Sequence, residues 1–382
     1  MPLFDLPLDR LRTHRSAVAP PGDLAAFWAD TLARARAHDL DLRLVPEDAG
    51  LTVFEVDDVT FNGFGGAPIK GWFLRPRGAT GPLPCVVEFV GYGGGRGLPA
   101  EWLFWPAAGY AHLVMDTRGQ GSEWRSGDTA DRWPGNSPHV GGFVTLGIEH
   151  RDDYYYRRVF TDGVRAVEAA RALPGVDPAR IVVAGASQGG GIALAVAGLV
   201  PDLAAAVVDI PFLCDIRRAT ELVETDPYAE IATYLRTHRN RVEQTFATLA
   251  YFDGAVLGRT ASAPALFSVG IMDDTCPPST VFAAINAYGG RTEVREYAYN
   301  KHDGGGFHHR RVQLAFLQEM LSGPITLGVP SAVTDGTAHR SAADHDVTEA
   351  PAAQNGHPSP SGDPRTAGHV NSGSAARGSD VS

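Results

Sequence analysis

A doubly wound, mostly parallel α/β sheet is the fold class this sequence predicts, and three observations predict it. Short apolar, β-type runs recur at 85–90, 112–115, 181–184, 205–210, 265–269 and 292–297. Helical patterns at 162–173, 188–200 and 279–288 separate most of them, and another at 309–321 follows the last. Strands that alternate with helices make a parallel sheet covered on both faces. The third observation is the run Ile181-Val182-Val183-Ala184-Gly185-Ala186-Ser187-Gln188-Gly189-Gly190-Gly191, where an apolar strand enters a Gly-x-Ser-x-Gly pentapeptide and an Ala/Gly/Leu-rich helix leaves it.

Taken in order, residues up to about 50 read as an N-terminal helical arm, because Leu24, Phe27, Trp28 and Leu32 recur at helical spacing after Pro20-Pro21-Gly22-Asp23, a helix start. Residues 51–61 alternate as a strand, and Asn62-Gly63 turns it toward a second strand at 69–74. The α/β alternation then begins. It is interrupted between Ile210 and Ala265 by an insertion with helical segments around 219–224, 228–237 and 242–249. A helical insertion at the carboxyl edge of such a sheet is expected to cover the active site. Residues 1–325 form the folded domain in this reading. In residues 331–382 the only large apolar side chains are Val333, Val347, Val370 and Val381, so this tail is expected to be disordered.

Composition narrows the function. The chain has 382 residues, 44% hydrophobic and 20% charged, which suits a globular enzyme. A net charge of -11 argues against nucleic acid or an anionic membrane as partner. The opening Met1-Pro2-Leu3-Phe4-Asp5-Leu6-Pro7-Leu8-Asp9 carries early acids and no apolar core, so it does not read as a secretory signal. No segment supplies the ~18 uninterrupted apolar residues of a membrane span. Cys85, Cys214 and Cys276 are far apart in apolar surroundings and read as buried free thiols in a reducing cytoplasm. The histidines of the tail lack ligand spacing, and neither a metal nor a cofactor is expected.

The pentapeptide carries the chemistry. Between a strand and a helix, it forces Ser187 into a strained turn with its hydroxyl above the sheet, and Gly185 and Gly189 are small because strand and helix nearly touch. A serine hydroxyl is a poor nucleophile until an imidazole takes its proton. In α/β-hydrolases the acid and then the histidine follow the serine along the chain, each after a later strand. The run Leu266-Phe267-Ser268-Val269-Gly270-Ile271-Met272-Asp273-Asp274 supplies the acid, and Asp273 is preferred to Asp274 because it comes first and a rigid Cys276-Pro277-Pro278 turn follows. The Gly-rich loop Asn300-Lys301-His302-Asp303-Gly304-Gly305-Gly306 supplies His302 as general base. His308 and His309 open the last helix, where histidines commonly face solvent. Two backbone N–H groups must hold the oxyanion: that of Gln188, after the nucleophile, and that of Tyr92, in the loop Gly91-Tyr92-Gly93-Gly94-Gly95 after an early strand. Phe212 and Leu213, after the strand that follows the nucleophile helix, read equally as walls of a small acyl pocket or as core.

With these residues in place the chain resembles the acetyl xylan esterase and cephalosporin-C deacetylase group, family seven of the carbohydrate esterases. That group is marked by Arg-Gly-Gln, Gly-x-Ser-x-Gly and His-Glu motifs. They correspond here to Arg118-Gly119-Gln120, to Gly185 through Gly189, and to His302-Asp303, where aspartate stands for the usual glutamate. The likeness extends through Phe4-Asp5-Leu6-Pro7-Leu8, Lys70-Gly71-Trp72, Asp152-Asp153-Tyr154-Tyr155-Tyr156-Arg157-Arg158, Ile210-Pro211-Phe212-Leu213-Cys214 and Pro277-Pro278-Ser279-Thr280. Val140-Gly141-Gly142-Phe143-Val144-Thr145 is similar to an interface loop of the group, with Leu146 where arginine is more usual. The resemblance implies an intracellular serine esterase acting on small acetyl esters, namely acetylated xylo-oligosaccharides and cephalosporin C, and assembled as a homo-oligomer, commonly a hexamer. Arg118, Gly119 and Gln120 are read as structural supports of the elbow, with Asp303 in a supporting place beside the histidine. Cutting the chain after Gly328 is expected to leave activity and assembly intact, and a truncated protein that loses either in a turnover or sedimentation assay disproves the tail's dispensability.

Overall fold

The computed structural model describes residues 4–131 and 140–321. The expected tail at 331–382 and the cut after Gly328 lie outside the described residues. Nine strands make one sheet: β1 (Arg43–Pro46), β2 (Phe54–Asn62), β3 (Pro68–Pro76), β4 (Leu83–Phe89), β5 (Ala111–Met115), β6 (Val176–Ala186), β7 (Ala205–Asp209), β8 (Ala265–Gly270) and β9 (Thr292–Tyr297). Their spatial order is β1-β2-β3-β5-β4-β6-β7-β8-β9. β1, β2, β3 and β5 pair antiparallel in succession, and every pairing from β5 to β9 is parallel.

The central strands are continuous apolar runs because both faces are covered. Every residue of β4, β5 and β8 is buried. Alternation divides their side chains between the two faces of the sheet. Cys85, Val87, Phe89, Ile181 and Val183 enter one core, shared with α4 (Tyr155–Ala172), α5 (Gln188–Leu199) and α10 (Pro278–Ala287). Val86, Val182 and Ala184 enter the other, with Trp105 of α3 (Phe104–Ala107) and Phe316 and Leu317 of α11 (Gly306–Met320). Helices on both faces thus seal a mostly parallel sheet, the arrangement the strand–helix alternation predicts.

The arm holds α1 (Leu8–Leu11) and α2 (Leu24–Arg36), and α2 buries Phe27, Trp28 and Leu32. The short exposed strand β1 has no periodic signal and escapes sequence reading. The β2–β3 reversal is a longer loop than Asn62-Gly63 suggests. Gly63 donates to the Ala67 carbonyl at 2.9 Å, and Phe64 N–H donates to Asp162 at 2.8 Å. α4 starts seven residues before the predicted 162, with Tyr154, Tyr155 and Tyr156 all buried. Tertiary burial overrides their modest helix propensity. The insertion comprises α6 (Ile216–Leu222), α7 (Tyr228–Thr237), α8 (Val242–Leu249) and α9 (Gly254–Leu257). Among the described residues no helix is long and apolar enough to cross a membrane.

At the pentapeptide the backbone packs too closely for side chains. A Cβ on Gly185 would lie 2.3 Å from the Gly189 carbonyl carbon, and one on Gly189 would lie 2.1 Å from the Phe89 carbonyl oxygen. Both obstacles are backbone atoms that cannot rotate away. Gly189→Ala is therefore expected to lower the unfolding free energy by at least about 2 kcal/mol, measured by urea denaturation.

Candidate active site

The carboxyl ends of six neighbouring strands converge on one place. β4 leads to Tyr92, β5 to Arg118-Gly119-Gln120, β6 to Ser187, β7 to Ile210, β8 to Asp273 and β9 to His302. Ser187 occupies the sharp turn between β6 and α5 at φ 56° and ψ -121°, a region that side chains rarely adopt. Backbone bonds hold it there. Its N–H donates to Asp209 at 3.0 Å, while its carbonyl accepts from Gly191 and Phe212, each at 2.9 Å.

His302 Nε2 lies 2.9 Å from Ser187 Oγ, and His302 Nδ1 lies 2.8 Å from Asp273 Oδ2. The fully buried Asp273 accepts on its other oxygen from the N–H groups of Thr275 at 2.8 Å and Cys276 at 2.9 Å. Those bonds fix the carboxylate that orients the imidazole. Asp274 turns outward instead, to Lys301 Nζ at 3.1 Å. Asp303 stays within its own loop, accepting from Asn300 Nδ2 at 2.9 Å. Burial, with Asp273 and Cys214 adding to it, pushes the nearby Cys276 thiol well up, so it stays protonated. All three cysteines are buried and free.

Beneath Ser187 lies a buried polar network. Gln120 Oε1 accepts from Gly93 N–H at 2.8 Å, and Gln120 Nε2 donates to Gln188 Oε1 at 2.8 Å. Gln188 Nε2 donates to the Val90 carbonyl at 3.1 Å. The side chains of Gln120 and Gln188 thereby join the loop of Tyr92 to the first turn of α5. Arg118 holds Asp162 with two bonds of 2.5 and 2.7 Å, and both residues are buried. Gly119, at φ 72°, supplies the left-handed residue between Arg118 and Gln120.

A cavity of about 490 Å³ opens at Ser187 and His302, lined also by Tyr92, Trp124, Ile210, Asp226, Pro227, Glu230 and Thr275. Phe212 and Leu213 are absent from its wall. Both are fully buried in the core, where Phe212 packs on Tyr228 with ring centroids 4.5 Å apart. The neighbouring Ile210, at φ 37°, takes the place at the wall. His309 also corrects the solvent-facing expectation. It is 2% exposed, with Nε2 3.0 Å from Asp209 and Nδ1 2.8 Å from the Tyr297 hydroxyl, whereas His308 is exposed. A one-residue step around a helix separates these two environments, and the chain pattern of two adjacent histidines does not reveal which one points inward. Glu230, Trp124 and Asp226 are wall residues that sequence reasoning missed. Only the position of the insertion hinted that some of its side chains reach the site. A larger cavity, about 590 Å³, is lined by the arm and the insertion through His14, Val18, Asp215 and Phe246 and does not include Ser187.

The sheet order, the helices on both faces and the strand–serine–helix elbow define an α/β-hydrolase. The acetyl xylan esterase family model matches residues 1–320, and the chain belongs to that family. Acetyl xylan esterase from Paenibacillus sp. R4 is 36% identical, with a TM-score of 0.77 over 82% of this chain and 99% of that one. Acetyl xylan esterase 1 from Thermoanaerobacterium sp. JW/SL YS485 is 30% identical, with a TM-score of 0.77 over 84% of this chain and all (100%) of that one. Acetyl esterase Axe7A of Xylanibacter ruminicola is 28% identical over 273 residues, 70% of this chain, and the match spans 60% of that relative's length.

The Arg118–Asp162 pair carries the stability test of this network. Replacing one member of a buried ion pair strands the other charge, so Arg118→Met is expected to cost about 3–5 kcal/mol in urea unfolding.

Proposed function

We propose that this protein is a serine esterase that removes acetyl groups from small substrates, with acetylated xylo-oligosaccharides and the acetoxymethyl group of cephalosporin C as the substrate classes. The observation that supports it most is the Ser187–His302–Asp273 line of hydrogen bonds, opening into a cavity of about 490 Å³ in a chain of the acetyl xylan esterase family.

In this reading His302, oriented by Asp273, takes the Ser187 proton as Oγ attacks the acetyl carbonyl. The N–H groups of Tyr92 and Gln188 hold the oxyanion of the tetrahedral intermediate. His302 passes the proton to the departing alcohol oxygen, leaving an acetyl-enzyme. A water that gives its proton to His302 attacks that ester, and collapse of the second tetrahedral intermediate releases acetate and restores Ser187. Tyr92 and Gln188 act through backbone amides that no side-chain substitution deletes. Arg118, Gly119 and Gln120 support the elbow and its facing loop rather than the reacting atoms. Residues 1–325 carry this activity, the tail at 331–382 is dispensable to it, and the protein works in the cytoplasm as a homo-oligomer, by resemblance a hexamer.

Turnover of nitrophenyl acetate, butyrate and octanoate tests the reading, with Ser187→Ala as control. The expected result is turnover confined to the acetate and lowered at least about 10⁴-fold in the variant. Equal turnover on longer chains overturns the acetyl assignment, and Ser187-independent turnover overturns the mechanism.

A further inference from the structure

We infer that Glu230, carried by the insertion helix α7, is a positioning residue that clamps the oxyanion loop through the side chain of Tyr92. The inference rests on the proposed assignment of the Tyr92 N–H as an oxyanion donor. Both Glu230 carboxylate oxygens lie within hydrogen-bonding distance of the Tyr92 hydroxyl, at 2.7 and 2.9 Å, and one also accepts from Gly142 N–H at 3.1 Å. The Tyr92 hydroxyl, donating to Glu230, accepts in turn from Phe143 N–H at 2.9 Å. Three segments distant in sequence are thus tied at one phenol: the loop after β4, the segment entering Phe143, and α7.

The rest of the Tyr92 peptide is held as firmly. Its carbonyl accepts from Trp124 Nε1 at 2.7 Å, and the next N–H, that of Gly93, donates to Gln120 at 2.8 Å. Its ring packs edge-on against Phe143 and Phe212 at 5.5 and 6.1 Å. Without the Glu230 contact the ring loses the bond that ties it to the insertion. α7 is itself anchored, since Tyr228 is fully buried and its hydroxyl reaches the backbone of Cys214. The position of the insertion is therefore passed to the peptide beside Ser187. Burial raises the Glu230 carboxyl, and burial with the Glu230 charge beside it raises the Tyr92 phenol, so the phenol keeps its proton to donate. A partly buried carboxylate that gathers these donors is costly to leave unpaired, which makes the clamp specific.

Displacing a preorganised donor costs catalysis without greatly changing ground-state binding. Steady-state kinetics on nitrophenyl acetate with wild type, Glu230→Ala, Glu230→Gln, Tyr92→Phe and the Glu230→Ala/Tyr92→Phe double variant test the clamp. Glu230→Ala and Tyr92→Phe are each expected to lower kcat about 10–100-fold with KM changed less than about threefold. The double variant should be no worse than about threefold below the weaker single, because both remove one contact. Glu230→Gln, which keeps an acceptor, should fall between Glu230→Ala and wild type and serves if Glu230→Ala fails to fold. Losses that multiply in the double variant, an effect on KM alone, or unchanged kcat in a folded Glu230 variant each overturn the clamp. Wild-type turnover that Ser187→Ala abolishes keeps the esterase reading standing through any of those results; wild type without Ser187-dependent turnover overturns both.

Discussion

The close approach of β6 and α5 is the constraint on which the site depends. A Cβ on Gly185 would strike the first turn of α5 and one on Gly189 the end of β4, so only glycines let α5 sit this close to both strands. The chain can then turn from strand to helix within one residue, and that residue is driven to φ 56°. The strain at Ser187 is offset by backbone bonds to Asp209, Gly191 and Phe212, so the serine stands rigidly above the sheet. Because the flanking strands are parallel, their loops leave from the same edge, and the other side chains gather around that serine.

Polar side chains rather than packing then set the loops around it. Gln120 and Gln188, both fully buried, bridge the loops after β5 and β4 to α5, and their mutual bonds fix how the Tyr92 loop faces the elbow. Arg118 and Asp162 do the equivalent for the turn after β5, reaching from it to α4 and to Phe64. Buried polar groups of this kind are unforgiving, since each unmade bond costs more than the bond itself contributes. The same physics lets Glu230 couple the insertion to the sheet at a single phenol.

Much of the fold was legible because its signals are local. Strand runs, helix periods and the glycine spacing at the elbow are written within a dozen residues each, and β9 runs over the residues its apolar pattern marks. Errors fell where tertiary contact competes with local preference. The early start of α4 comes from burial of three tyrosines, and the inward turn of His309 comes from Asp209 and Tyr297. At the site, the serine, acid and histidine positions were legible from motif order, whereas the choice of wall residues was not. Phe212 and Leu213 have the hydrophobicity of a pocket wall, but the backbone bond from Phe212 to Ser187 turns that stretch into the core and leaves Ile210 at the opening.

The sequence by itself determined the sheet class, the strand–serine–helix turn and the order in which acid and histidine follow, because backbone sterics and side-chain periodicity act between near neighbours. Only the tertiary structure decided that Ile210 lines the cavity, that His309 turns inward, and that Glu230 meets Tyr92. Glu230 and Tyr92 are 138 residues apart. No local pattern encodes a contact over that distance; it exists because parallel strands bring their carboxyl ends, and the insertion rooted there, to one edge of the sheet.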